Sequence, residues 1–308
     1  MKSVAVLASA LGWCAWGCAN LPVDQAHGAL PHAEIYQRAT NEFAEADFFK
    51  PAEPKTDDLP SSLAPLILQE VKGGKEPLSR PDRFGTLSVS NGVLVLDRAR
   101  PAIYWQADSV QLNGRAHTRL SYLWCYAPAP VEQKGAFTGR PEVHPTALPW
   151  QGIRVTLNSA GQPVIWEVLA DSSGAELIYV SRSLEAAAVA EFGKPLPGRR
   201  YTIERRPEEA PQVIVARIID DGPVAMGPIV YLSANTREVN TVICRCMPAQ
   251  AKRLLGTRVY DLLPFQATAA QPLLTQARAL AKEQTAFWPG DPPGSGPLET
   301  RLRLPSGL

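Results

Sequence analysis

The chain has no excess of charge of either sign. Its 308 residues carry 31 Lys and Arg against 30 Asp and Glu, a formal charge of +1 at pH 7. There is thus no basic field to hold phosphates and no acidic field to gather cations, and nucleic acid is not an expected partner. Histidine is scarce, at four residues, which leaves few candidates for a general base or a metal ligand. The motifs that mark common enzyme classes are also missing. There is no G-x-S-x-G elbow, H-E-x-x-H helix, Walker A loop or dinucleotide glycine fingerprint, so motif-marked hydrolases, metalloproteases and nucleotide enzymes lose weight. No repeat of 20 to 50 residues is visible, which argues against a propeller or solenoid.

What is present describes an ordinary folded protein. Hydrophobic residues make up 45% and charged residues 20%, a balance that supports a core rather than disorder. The length suffices for one large domain or two modest ones. Proline is abundant, with 29 residues, about twice its usual ~5% share. That points to many loops and edge-type segments and away from a helical bundle.

The N-terminus places Lys2 before an uncharged run from Ser3 to Asn20 dense in Val, Ala, Leu and Trp. A short charged region, an apolar run and small residues at its end describe a cleaved signal peptide over 1–19. The stretch Ala15-Trp16-Gly17-Cys18 resembles the lipobox of bacterial lipoproteins, in which a small residue precedes a cysteine that becomes the lipidated N-terminus. That resemblance implies a 1–17 leader and a lipid on Cys18; Trp16 and Ala15 depart from the pattern. Both readings place the protein outside the cytoplasm, in the periplasm, at the outer membrane or secreted, and any membrane attachment is through the lipid alone.

Of five cysteines, Cys14 and Cys18 fall in or beside the leader, leaving Cys125, Cys244 and Cys246. An odd count in an oxidising compartment suggests one disulfide with a spare thiol, or a site that uses all three.

Residues 20–83 read as a tether or a segment wrapped along the main domain. A helix is expected over Ile35 to Ala46, and linker from Phe49 to Lys55 and from Leu59 to Ser62, where prolines recur. A β-rich globular domain over 84–288 follows. β-Forming residues on both sides of Asn91-Gly92 predict a tight hairpin from Thr86 to Asp97. Strands are expected at 101–106 and at 117–126, the latter with Leu120, Tyr122, Trp124 and Tyr126 on one face and His117, Arg119, Ser121, Leu123 and Cys125 on the other. A second hairpin spans Ile153–Leu169. A strand over 175–180 leads into a helix capped by Ser183 and ended by Gly193. Further strands are expected at 200–206, 212–220, 228–233 and 238–246, with helices at 248–255 and 272–288 and a flexible Pro/Gly-rich tail over 289–308. The fold class is α+β, dominated by antiparallel β-sheet with two or three peripheral helices.

Several groups of residues are candidates for chemistry. On a regular strand Cys244 and Cys246 share a face about 7 Å apart, too far for a mutual disulfide without a bend. One of them can pair with Cys125. Alternatively the thiolates bind zinc or copper(I), with Cys125, His117, His144 or Met247 completing the set, or serve as catalytic thiols. His117 lies about 26 Å along the strand from Cys125 and cannot be its base within that strand. Asp220-Asp221-Gly222-Pro223 suits a turn better than a cation site, which needs more oxygen ligands. Glu167, Asp171 and Glu176 near Trp150, Trp166 and Tyr179 offer the carboxylates and stacking faces of a glycan hydrolase, if geometry brings them together.

These features favour an exported cell-envelope protein that acts as a non-enzymatic binding or structural module for an unknown envelope component, with no cofactor. The alternative is an extracytoplasmic enzyme, either thiol- or metal-dependent at Cys244 and Cys246 or a carboxylate-based glycan hydrolase.

Overall fold

A computed structural model describes residues 33–40, 42–53, 58–71, 73, 76–79, 82–90, 93–127, 149–169, 176–206, 213–246, 251–268 and 297–308. Thirteen strands order it: β1 (Phe43–Pro51), β2 (Leu66–Glu70), β3 (Thr86–Ser90), β4 (Val93–Asp97), β5 (Ala102–Leu112), β6 (Arg115–Cys125), β7 (Trp150–Leu157), β8 (Pro163–Leu169), β9 (Glu176–Ser181), β10 (Val213–Ile219), β11 (Ile229–Leu232), β12 (Val239–Ile243) and β13 (Ala251–Pro264). Four short helices accompany them among the described residues: α1 (Ala33–Arg38), α2 (Leu59–Ser62), α3 (Arg182–Phe192) and α4 (Leu298–Arg301). The α+β class with β dominance holds.

The alternation on β6 sets the two faces of the main sheet. Leu120, Tyr122 and Trp124, with Tyr126 just beyond, are buried in the largest core cluster. Leu123 and Cys125 enter a different cluster on the opposite side, as a period of two requires. The sheet has eleven strands in the order β10-β9-β8-β7-β6-β5-β13-β1-β2-β11-β12. Six of its strand pairs are antiparallel and four are parallel. It curls until its two end strands β10 and β12 pack against each other, with the Tyr179 hydroxyl 3.5 Å from the Asn240 carbonyl. The result is barrel-like, and aromatic rings fill the inside. Phe49 and Phe84 lie 4.8 Å apart between centroids, and Phe84 meets Tyr126 and Tyr260 edge-on, an arrangement worth about 0.5–1.5 kcal/mol per pair beyond area burial.

Both expected hairpins form. β3 pairs with β4 from Thr86↔Asp97 to Ser90↔Val93, and β7 pairs with β8. The helix after β9 starts two residues earlier than Ser183 implies. Ser181 is its N-cap, accepting the Leu184 N–H at 3.2 Å, because β9 delivers the chain in extended geometry up to that residue. Gly193, at φ +79°, ends it, a backbone angle that glycine adopts without steric cost.

Other expectations are corrected. The 20–83 segment is no tether over its described part, because β1 lies between β13 and β2 inside the sheet and Phe43, Ala46 and Phe49 are fully or almost fully buried. Pro51 ends that strand rather than opening a linker, a position where a missing N–H is tolerated. The helix expected over 35–46 stops at Arg38. Residues 251–255 begin β13 instead of belonging to a helix, since parallel pairing with β1 from Phe43↔Ala251 onward overrides local preference. Residues 200–206 form a turn with a single bridge, Glu204↔Leu302. There the Glu204 carboxylate accepts the N–H groups of Arg200 and Tyr201 at 3.0 and 2.9 Å. The last twelve residues are not loose. Leu298, Leu302, Leu304 and Leu308 are buried in a cluster with α3 and the outer face of β8–β10. The helix expected at 272–288 lies outside the described residues.

One close approach fixes the loop between β10 and β11 to the barrel. The Gly227 N–H donates to the Ser62 carbonyl at 3.2 Å, and a Cβ at this position would collide with the backbone carbonyls of Leu63 and Ala64. Those carbonyls cannot yield as a flexible side chain would. Gly227→Ala should therefore lower stability by about 1–3 kcal/mol, read as a lower urea midpoint with an unchanged slope.

Candidate functional site

β12 ends at Ile243 and the chain turns through Cys244–Cys246. The bend brings the two Cα atoms to 5.2 Å, and the sulfurs form a disulfide. The pairing expected between one of them and Cys125 is not made. Cys125 is the one free thiol among the described residues, buried on the other face of the sheet beside Leu87, Tyr104 and Trp150, where burial pushes its pKa far above that of an ordinary thiol. The expected donor set is therefore not brought together among its cysteines: Cys244 and Cys246 bond each other and Cys125 lies elsewhere. His144, Met247 and Cys18 lie outside the described residues. His117 is a core residue, its Nδ1 2.9 Å from the Leu157 carbonyl. Among the described residues no group of three or more His, Cys, Asp or Glu side chains gathers as a metal site would.

The carboxylates are already engaged. Asp220 accepts from Arg182 Nε at 2.7 Å. Asp221 accepts the Ser183 N–H at 2.9 Å and its hydroxyl at 2.7 Å. These acidic groups fasten the end of β10 to the start of α3, where negative charge is favoured by the helix dipole. Glu167 and Glu176 both pair with Arg301 under the C-terminal segment. Asp171 lies outside the described residues. Trp150 and Trp166 face opposite sides of the sheet, Trp150 among Tyr104 and Phe265 and Trp166 in the inner core. The two rings therefore do not frame one sugar site.

Three of the expected segments do meet, at one mouth of the barrel. A cleft there is lined by Trp166, the Asp220–Gly222 turn, Val224, Met226, Cys244 and Arg245 among others. The parallel pairing of β9 with β10 places Ile219 beside Ser181, so the loop after β10 emerges here, next to the end of β12. Trp166 is 5% exposed, and its indole N–H has no hydrogen-bond acceptor among the described residues. Arg245 donates to the Ala64 carbonyl, while its buried Nε has no hydrogen-bond partner among the described residues; burial lowers its pKa from the ordinary guanidinium value. At the rim Val224 is 62% exposed. Val224 and Arg245 carry no sequence signal: one sits behind a proline in a loop, the other between two cysteines that draw the eye.

Comparison with known proteins adds no relative. No family model, curated protein or solved structure matches the chain.

Proposed function

We propose that this is an exported cell-envelope protein whose β-rich domain is a binding module, with the Trp166 cleft as the place where a partner is held. One observation supports the reading best. The titratable groups at the cleft are each tied to a neighbour in the fold, Asp220 to Arg182, Asp221 to Ser183 and the two cysteines to each other. An exposed Val224 at the rim and Trp166 in the lining are left to meet a ligand. An apolar rim with a few fixed polar groups suits recognition of an apolar side chain beside a carbonyl acceptor, as in a peptide. It does not offer the free acid and base that hydrolysis needs.

The test is calorimetric titration of the purified protein with short apolar peptides and, in parallel, soluble envelope glycan fragments. Peptide binding that falls at least tenfold in Val224→Glu, with an unchanged Tm, is the expected result. Binding that Val224→Glu leaves intact, binding by no peptide, or chemical turnover of any compound in the panel overturns the proposal.

A further inference from the structure

The Cys244–Cys246 disulfide differs from a structural staple in three respects. It closes a loop only two residues apart in sequence, so it removes very little freedom from the unfolded chain and adds little to stability by that route. Its two cysteines are unequally exposed: Cys246 is an exposed residue, whereas Cys244 is 6% exposed and belongs to the inner core. The backbone N–H of Cys246 is 3.0 Å from Cys244 Sγ and donates to it. Hydrogen bonding to a sulfur favours its thiolate form.

We propose that Cys244–Cys246 is an exchange-active disulfide, attacked at Cys246 by an external thiol. The incoming thiolate forms a bond to Cys246 Sγ, and the Cys244–Cys246 bond breaks. Cys244 leaves with the electron pair as a thiolate and accepts the Cys246 N–H. A second thiol of the same dithiol, or a second monothiol molecule, then attacks the mixed disulfide, leaving with the external partner oxidised and Cys246 as a thiolate. Two electrons pass from two external thiols to the protein disulfide, and two protons end on Cys244 and Cys246. Run in reverse, the reaction lets a disulfide oxidise the reduced pair. Exposure of one cysteine and burial of the other gives the exchange its direction of entry. Cys244 also lines the cleft, so a bound thiol-bearing peptide would bring its sulfur close to this bond. The exchange itself does not depend on that peptide, because a small thiol reaches Cys246 from solvent.

The test uses the folded full chain with reduced glutathione as the probe. Samples are quenched by rapid alkylation and mapped by peptide mass, while circular dichroism follows the fold. Cys244 and Cys246 are expected to become alkylatable with the spectrum unchanged, while Cys125 stays protected. In Cys244→Ala, treated with oxidised glutathione, a stable glutathione adduct should accumulate on Cys246. In Cys246→Ala the adduct on Cys244 should form at least tenfold more slowly. A disulfide that resists glutathione until denaturant unfolds the protein overturns the proposal, as does faster adduct formation at Cys244. If either variant fails to fold, the wild-type measurement alone decides between the two outcomes.

Discussion

Replacing Glu167 by Ala should cost about 3–5 kcal/mol of folding stability, the range for stranding one side of a buried ion pair. Glu167 lies on β8 and faces the outer side of the sheet, under the C-terminal segment. Its Oε1 is 3.0 Å from Arg301 Nη2 and 3.8 Å from Arg154 Nη1. Arg301 also pairs with Glu176, and Arg154 Nε reaches Ser121 Oγ at 3.3 Å. The side chains of Arg154 and Glu167 are 0% and 2% exposed, and that of Arg301 is 7% exposed. Removing the carboxylate takes from Arg301 one of its two carboxylate partners and from Arg154 the carboxylate 3.8 Å away, in a site closed to solvent. Arg301→Ala should cost less, because Glu167 keeps Arg154 and Glu176, at 19% exposed, can recover hydration. The order of the two losses is therefore diagnostic. Urea denaturation of both variants measures it, and limited proteolysis near the C-terminus should accelerate in Arg301→Ala, since α4 loses its anchor. A Glu167→Ala protein with the wild-type urea midpoint would show that the cluster contributes nothing.

The sequence conceals this cluster for a reason general to the chain. Glu167 and Glu176 fall in stretches that the sequence reads as strand, so their place on a sheet is legible. Their partner Arg301 lies 134 residues from Glu167, inside a tail whose average composition of proline and glycine hides four leucines spaced to bury. Local signals reported local pairing well. The Asn-Gly pair announced β3 and β4, and the alternation of Leu120, Tyr122 and Trp124 assigned both faces of β6. Strand pairs without a hairpin left no such trace. β1 and β13 are parallel neighbours separated by 208 residues at Phe43↔Ala251, and the prolines around 51–60 masked β1 as a linker. The cysteine pair was visible, but its bond depends on β12 stopping at Ile243, one residue before the first sulfur. Nothing in Val-Ile-Cys-Arg-Cys marks that stop. The cleft was legible only as separate parts: Trp166, the Asp220-Asp221 turn and Cys244 are brought together by the curl of the whole sheet.

Above pH 10 the folded state should collapse steeply, and buried tyrosines are the cause. Tyr104, Tyr122, Tyr126 and Tyr260 are all 0% exposed. Burial is the leading cause that raises each of their pKa values well above the ordinary phenol value of 10.0. Three of the hydroxyls donate hydrogen bonds that ionisation would abolish. Tyr260 donates to the Pro65 carbonyl at 2.6 Å, Tyr122 to the Pro60 carbonyl at 2.8 Å, and Tyr126 to Gln69 Oε1 at 3.3 Å. Tyr104 instead accepts the Leu87 N–H at 2.6 Å, a bond that favours its phenolate, but desolvation outweighs it. The unfolded chain ionises these groups near 10 while the folded chain keeps them neutral. Their contribution is fully present below pH 10 and is lost as pH rises from there toward the folded values. Each such group removes about 1.4 kcal/mol per pH unit once the unfolded form is ionised, so four remove about 5.5 kcal/mol per unit. Against a total stability of about 5–15 kcal/mol, unfolding is expected within about one to three pH units above 10. Ultraviolet absorbance of tyrosinate should then rise in one cooperative step together with loss of the far-ultraviolet dichroism. Tyr260→Phe should make that step less steep, because one fewer proton is released on unfolding. A gradual rise in tyrosinate near pH 10 with the dichroism intact would mean that these hydroxyls titrate in the folded protein, and that water reaches the rings inside the barrel.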